Sequence, residues 1–441
     1  MIQAYLHATL ASSGPWLFTV VALGSFFALT AGHIGIGILE NFRIILLYNF
    51  AGSLVVSAPM TIVSTRYLAD LIYKEDVDEA PGMLLGALIL LNVIALPLVY
   101  GFYLSVTNFS YEIVYLGTIN FLLIANIWQV SIFISAIKQY TGVTFSFVVG
   151  MMIAVFAAII FAEDYSEVGM LFGFNIGLGF IFSSLVALVF SEYPKKCTFI
   201  FRLVTYFKKY WEFALGAFLY GVGIWADKWI MWFSPEAVRL PNGLWMYPHY
   251  DSAMFIAYLT VIPAMSMFLI SQETEFFEQY VKYFENIQEH ANYEKIERNH
   301  ATLWECMLQQ FRGIFLLQCS VCFMSILAAP KLFDLLNMNY IQLGIFRFGV
   351  LGAMFQIFVL FLTVIHSYFD NRRSVLLIQG FFCFSNIAFS LVSREMGFTY
   401  YGYGYFLANL LTFALAAYTL ERYIRRLPYH TFVTNNASVQ S

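Results

Sequence analysis

Charge is what this sequence has least of: Asp, Glu, Lys and Arg make up 11% of its 441 residues, against about 25% in an average soluble domain. So small a supply cannot give every helix a solvated face, which excludes an ordinary water-soluble fold. No block of Lys or Arg occurs and the formal net charge is −4, so a nucleic-acid partner is not expected. Cysteine is scarce, with five residues at Cys197, Cys306, Cys319, Cys322 and Cys383, and no disulfide framework follows. Cys319 and Cys322 spell C-x-x-C, but within an apolar run and without a βαβ pattern nearby, so they read as small hydrophobes. The seven histidines are scattered, and the chain has no P-loop, H-E-x-x-H or G-x-S-x-G. No catalytic residue, metal site or cofactor is therefore expected. The opening residues MIQAYLHATLASS hold no Lys or Arg, which argues against a signal peptide with a basic start.

Apolar sequence is what the chain has in abundance: 60% of residues are hydrophobic and the mean hydropathy is +0.72. Charge-poor runs long enough to cross a bilayer, about 20 residues each, predict spans at Pro15 to Ile38, Ile44 to Leu68, Pro81 to Leu104, Ile113 to Ile137, Thr141 to Phe161 and Val168 to Phe190. A second set runs Tyr210 to Phe233, Ser252 to Ser271, Phe311 to Ala329, Gln342 to Phe369, Ser374 to Ser393 and Tyr401 to Tyr423. The expected organisation is an all-α polytopic membrane protein of about twelve transmembrane helices. Residues 1–190 form a six-helix lobe, 191–209 a basic cytoplasmic linker and 210–424 a second six-helix lobe, with a cytoplasmic extension at 272–304 and a tail at 425–441.

Basic residues accumulate on the cytoplasmic side of membrane proteins. With twelve spans, seventeen of the twenty-three Lys and Arg residues fall on one side, which predicts that both termini are cytoplasmic. The opposite face holds Arg43, Arg239, Lys331 and Arg394 against nine acids, Glu40, Glu112, Glu163, Asp164, Glu167, Glu236, Asp251, Asp334 and Glu395. That face is net acidic, through drift in composition or because it draws cations outward.

Two segments on the basic side stand out. Tyr193 to Lys196 and FRLVTYFKK, Phe201 to Lys209, are basic and partly amphipathic, suited to anionic lipid headgroups. In the extension, Phe277, Tyr280, Phe284 and Ile287 recur at helical spacing among charged residues. This stripe could dock a cytosolic partner or pack on the chain's own lobe.

Charges within spans are costly and mark function by default. Asp227, Lys228 and Arg347 are such charges. Sequence neighbours on a helix point to different sides, which puts Lys228 with Trp225 and Trp232, where a cation–π contact is possible, and Asp227 with Tyr220, Gly223 and Met231. In one reading, Lys228 and Arg347 snorkel to headgroups while Asp227 pairs with one of them to fix the helices. In the other, an Asp227–Arg347 or Asp227–Lys228 pair, with Tyr220, Trp225 and Asp251 nearby, lines a cavity and breaks and re-forms during transport. Aromatics are 19% of the chain; most serve as interfacial anchors and core, although sugars also stack on such rings.

Ser12-Ser13-Gly14-Pro15-Trp16 places turn formers before a proline at a helix start. With ADKWIMWFSP (Ala226 to Pro235), YDSAMFIAYLTVIPA (Tyr250 to Ala264) and FFEQYVKYFENI (Phe276 to Ile287), it resembles the Pel exopolysaccharide transporter family, PelG, within the multidrug, oligosaccharidyl-lipid and polysaccharide exporters. The resemblance implies two six-helix lobes around a central cavity and a pseudo-two-fold axis along the membrane normal. It also implies a cationic amino-sugar polymer as cargo, exported across the bacterial inner membrane for a biofilm matrix. The implied partners are a cytosolic glycosyltransferase and membrane components of the Pel system, one of them a cyclic-di-GMP receptor.

Other readings compete. A flippase or efflux carrier of the same fold would move lipid-linked oligosaccharide or small cations. A membrane polymerase or ligase would present a large outer loop rich in Arg and His, whereas the longest here, near Ser234 to Tyr250, holds only Arg239 and His249. A scaffold for a glycosyltransferase is a further possibility.

Overall fold

Runs of apolar residues with few charges have one stable answer in lipid: a helix, which satisfies every backbone N–H and C=O internally. The structure, a computed structural model, describes residues 24, 35–74, 77–137, 140–193, 200–429 and 431. The motif Ser12 to Trp16 and most of the first expected span lie outside these residues. Among the described residues the helices are α1 (Ile36–Tyr73), α2 (Ala80–Val106), α3 (Tyr111–Ile137), α4 (Tyr140–Glu192), α5 (Leu203–Lys209) and α6 (Trp211–Met231). A hairpin of β1 (Val238–Arg239) and β2 (Trp245–Met246) follows. Then come α7 (Pro248–Leu259), α8 (Ile262–Ser271), α9 (Phe277–Gln288), α10 (Tyr293–Leu335), α11 (Leu343–Tyr368), α12 (Arg372–Met396) and α13 (Tyr403–Arg425).

Eleven of the twelve expected spans fall on these helices, two of them on α4. Its 53 residues fold back on themselves at Ser166, where φ is 51° and ψ −130°. The two arms approach closely because glycines face small residues. A Cβ on Gly177 would stand 2.4 Å from the Ala154 Cβ, and one on Gly173 would stand 2.4 Å from the Ala157 carbonyl carbon. Gly169, Gly173 and Gly177 recur every four residues, the small-residue stripe that lets membrane helices meet. The eighth span is two helices, α7 and α8. Pro263, in the first turn of α8, has no N–H to bond back to the preceding turn, and the chain breaks at Thr260 and Val261.

Among the described residues two compact units are present. One holds everything up to Trp225 together with Trp232–Tyr247; the other holds Ala226–Met231 and everything from Pro248 onward. In the first unit α3 packs against α1, α2 and α4. Buried amides tie these helices together: Tyr103 donates to Asn49 at 2.7 Å, Asn49 to Asn120 at 2.9 Å and Asn120 to Asn175 at 2.8 Å. In the second unit α11 packs against α7, α10, α12 and α13.

The basic stretch at α5 is pinned to the first unit. Leu203 is buried, Tyr206 stacks on Tyr67 with ring centroids 3.9 Å apart, Arg202 pairs with Glu79, and Lys209 Nζ lies 3.0 Å from Asp70 Oδ2. Burial lowers the Lys209 pKa, but hydrogen bonds to Tyr210 and Asp70 raise it more, and the net result is a rise to about 12. Phe201, Val204 and Lys208 stay exposed, so only the outer side of α5 is left for headgroups.

In the extension, the stripe on α9 packs on its own unit. Tyr280 donates to the Tyr368 carbonyl at 3.0 Å and its ring lies 5.6 Å from that of Phe369, while Phe284 lies 6.5 Å from Phe369. Ile287 is half-buried, and of the four stripe residues Phe277 alone is exposed. The turn between α9 and α10 brings the amphipathic helix back onto the unit, so intramolecular packing uses most of the face that a partner would have needed.

Candidate functional site

The site grows from two adjacent charges, Asp227 and Lys228, at the C-terminal end of the apolar helix α6. Asp227 is 0% and Lys228 6% exposed, so neither reaches headgroups. The Lys228 Nζ stands 3.0 Å from Asp227 Oδ1 and 3.1 Å from Oδ2. Adjacent positions diverge by about 100° around a helix, yet the four-carbon lysine stem is long enough to carry its ammonium back to the neighbouring carboxylate. The expectation that the two charges face different sides therefore holds for their Cβ atoms and fails for their charged ends.

Three further helices close around the pair. From α7, Tyr250 donates its phenol to Asp227 Oδ2 at 3.0 Å, and Tyr258 accepts from Lys228 at 3.1 Å. From α12, the Asn386 amide reaches Asp227 Oδ1 at 3.5 Å and is itself held by Ser390 at 3.1 Å. From α13, Tyr405 places its ring centroid 5.5 Å from the ammonium, and that of Tyr258 lies at 4.7 Å. Tyr405 in turn donates to Gln356 of α11. A carboxylate with three donors and an ammonium between two aromatic faces meet the condition for burying charge, which is pairing plus hydrogen bonding of what remains.

The other residues singled out from sequence lie elsewhere. Arg347 is exposed in the second turn of α11 and makes no ion pair among the described residues, so Asp227 takes Lys228 rather than Arg347. Asp251 is half-buried in the first turn of α7, where the helix dipole favours an acid. Tyr220 and Trp225 belong to the first unit, as does Trp232, which stacks on Tyr48 at 4.6 Å. Rings from distant helices, Tyr258 and Tyr405, face the Lys228 ammonium. Tyr250, Tyr258, Asn386 and Tyr405 carried no signal of their own, being neutral polar residues of which Asn386 is 159 positions from Asp227 and Tyr405 is farther still. Among the described residues no cluster of three His, Cys, Asp or Glu side chains could hold a metal.

The helical spans define a polytopic membrane protein with a buried charge pair, and solved structures share the fold along nearly the whole chain. MATE in complex with MaD5 matches with a TM-score of 0.66 at 14% identity over 97% of this chain and 96% of that one. A MOP superfamily transporter from Pyrococcus furiosus matches with a TM-score of 0.64 at 12% identity over 96% of both chains. An outward-facing MATE family transporter of the MOP superfamily gives 0.64 at 14% identity, again over 96% of both. At these identities the likeness is one of fold. No curated protein matches the sequence. The chain belongs to the PelG family: its model, "Putative exopolysaccharide Exporter (EPS-E)", matches residues 1–432. The protein is a multi-pass membrane exporter rather than an enzyme.

Proposed function

We propose that this protein exports the Pel exopolysaccharide, a cationic amino-sugar polymer, across the bacterial cytoplasmic membrane to build a biofilm matrix. The observation that carries the reading is the Asp227–Lys228 pair, fully enclosed in a chain of the exopolysaccharide-exporter family. Removing a charge pair from water costs several kcal/mol, and such pairs in membrane helices mark transport pathways more than stability. The pair breaks and re-forms during the transport cycle, with Tyr250, Tyr258 and Asn386 as alternative partners for whichever charge is released. Six spans precede the linker at 191–209 and six follow it, and both termini are cytoplasmic, a topology supported by the one-sided distribution of Lys and Arg.

The nearest partners are a cytosolic glycosyltransferase that makes the polymer and membrane components of the Pel system, including a cyclic-di-GMP receptor. Deleting the gene should abolish secreted amino-sugar polymer, and Asp227→Asn should abolish it while the protein stays in the membrane. Normal secretion on deletion rejects the cargo; normal secretion with Asp227→Asn rejects the role of the pair. A loss of drug efflux or of a lipid-linked oligosaccharide, with polymer unaffected, would move the protein to the second reading, a carrier of the same fold.

A further inference from the structure

The hairpin of the first unit has one face built into the protein and one face open. On the inner face, Leu240, Leu244 and Met246 form a buried cluster with Ile44, flanked by Tyr48, Phe102 and Phe109. The Tyr48 phenol donates to the Trp245 carbonyl at 2.8 Å and accepts from the Trp245 N–H at 3.3 Å. Asn242 donates to Asn41 at 2.7 Å and accepts from the Leu244 N–H at 2.9 Å. At the turn, Gly243 has φ +95°, and a Cβ there would stand 2.8 Å from the Val106 carbonyl oxygen. The strands are short, and their position is set by these contacts to α1 and to the end of α2.

The open face carries a strip of three side chains. Phe233 is 59% exposed and its ring centroid lies 5.8 Å from that of Trp245, tilted by 50°. Arg239, exposed and paired across the strands with Trp245, holds its guanidinium carbon 5.7 Å from the indole centroid. A benzyl ring, an indole and a guanidinium therefore follow one another along a backbone that is held from behind.

We propose that this strip is a saccharide-binding platform that takes residues of the exported polysaccharide. The proposal rests on the export reading above. A pyranose has an apolar C–H face that rests on an aromatic ring and a rim of hydroxyls that accept from donors. Phe233 and Trp245 supply the rings, and Arg239 supplies up to five N–H donors in a fixed fork. Holding these groups in place before the ligand arrives lowers the ordering cost of binding. Aromatic and basic side chains also gather at membrane boundaries as anchors, but an anchor needs no such fixing of its backbone, which favours the saccharide. Each aromatic contact contributes about two- to tenfold in affinity on the scale of ring–ring pairs.

The test uses the full chain in lipid nanodiscs, titrated with a β-1,4-linked N-acetylglucosamine tetramer, its deacetylated counterpart and maltotetraose, and read by saturation-transfer NMR. The native chain should bind the N-acetylated tetramer in preference to the deacetylated one, whose ammonium groups the Arg239 guanidinium repels. Phe233→Leu, Trp245→Leu and Arg239→Gln should each weaken that binding, and Trp245→Phe should recover much of the loss. Leucine keeps the hydrophobicity of an anchor and removes the flat face, so native binding by both leucine variants overturns the platform, as does failure of the native chain to bind any tetramer. Reduced membrane insertion of the leucine variants with unchanged binding identifies an anchor and also overturns it. The export reading is tested separately: gene deletion that stops secretion keeps that reading even if the platform fails.

Discussion

Lys228 and Asp227 are neighbours in sequence whose charged ends meet at 3.0 Å inside a fully enclosed cage of tyrosines and an asparagine. The pair is sealed from solvent, so removing one charge should be far more damaging than removing both. Asp227→Asn or Lys228→Met alone is expected to cost roughly 3–5 kcal/mol. The double variant Asp227→Asn/Lys228→Met should recover most of that in thermal unfolding of the detergent-solubilised protein. If the pair works in transport, the double variant will be stable and will export nothing.

Tyr250 donates to a charged acceptor and is itself 0% exposed. Tyr250→Phe keeps the ring and deletes the donor, so the expected loss is about 1–3 kcal/mol. A melting temperature equal to that of the native protein would show that Lys228 and Asn386 suffice for Asp227.

In α4 the glycine stripe predicts a contrast between two similar substitutions. Gly177→Ala forces its new methyl into Ala154 and should destabilise by about 1–3 kcal/mol. Gly179→Ala meets nothing within 4 Å and should be neutral or gain up to about 1 kcal/mol from helix propensity. Unfolding of the two variants side by side gives the comparison.

The link between Asp70 and α5 gives a pH prediction. The Lys209 pKa is raised from 10.5 to about 12, so the stabilisation is complete below about pH 10.5 and is lost only as pH climbs through about 12. Attachment of α5 should therefore be constant from pH 6 to about pH 9. Asp70→Asn should loosen it at every pH in that range, read as faster tryptic cleavage after Lys208 and Lys209. A native chain whose cleavage accelerates within that range for reasons other than the protease's own profile would contradict the assignment.

The spans were readable because lipid removes the alternatives: a run such as Gly82 to Leu104, without one charge, has to be a helix or be unsatisfied. The turn at Ser166 was also readable, since Glu163, Asp164 and Glu167 interrupt an otherwise apolar stretch. Asp227 and Lys228 stood out for the same reason. Their partners did not. Tyr250, Asn386 and Tyr405 are the kind of neutral polar residue that spans tolerate anywhere, and only the packing of α7, α12 and α13 brings them together. The stripe of Phe277, Tyr280, Phe284 and Ile287 shows the other limit. Helical spacing states that a face must be covered, and the turn after Gln288 decides what covers it.

The hairpin also bears on how the protein is made. Tyr48 and Trp245, which hold one another at 2.8 Å, are 197 residues apart, and ribosomes add roughly 5–20 residues per second. From the emergence of α1 to that of its hairpin, about 10–40 s pass. Throughout that interval the translocon and the growing bundle must shelter the Asn41 amide oxygen, the Tyr48 phenol and the apolar surface around Ile44, whereas the Asn41 amide nitrogen has Glu167 as soon as α4 is made. Premature release of the nascent chain before residue 247 would leave that end of the first unit open to the membrane quality-control machinery.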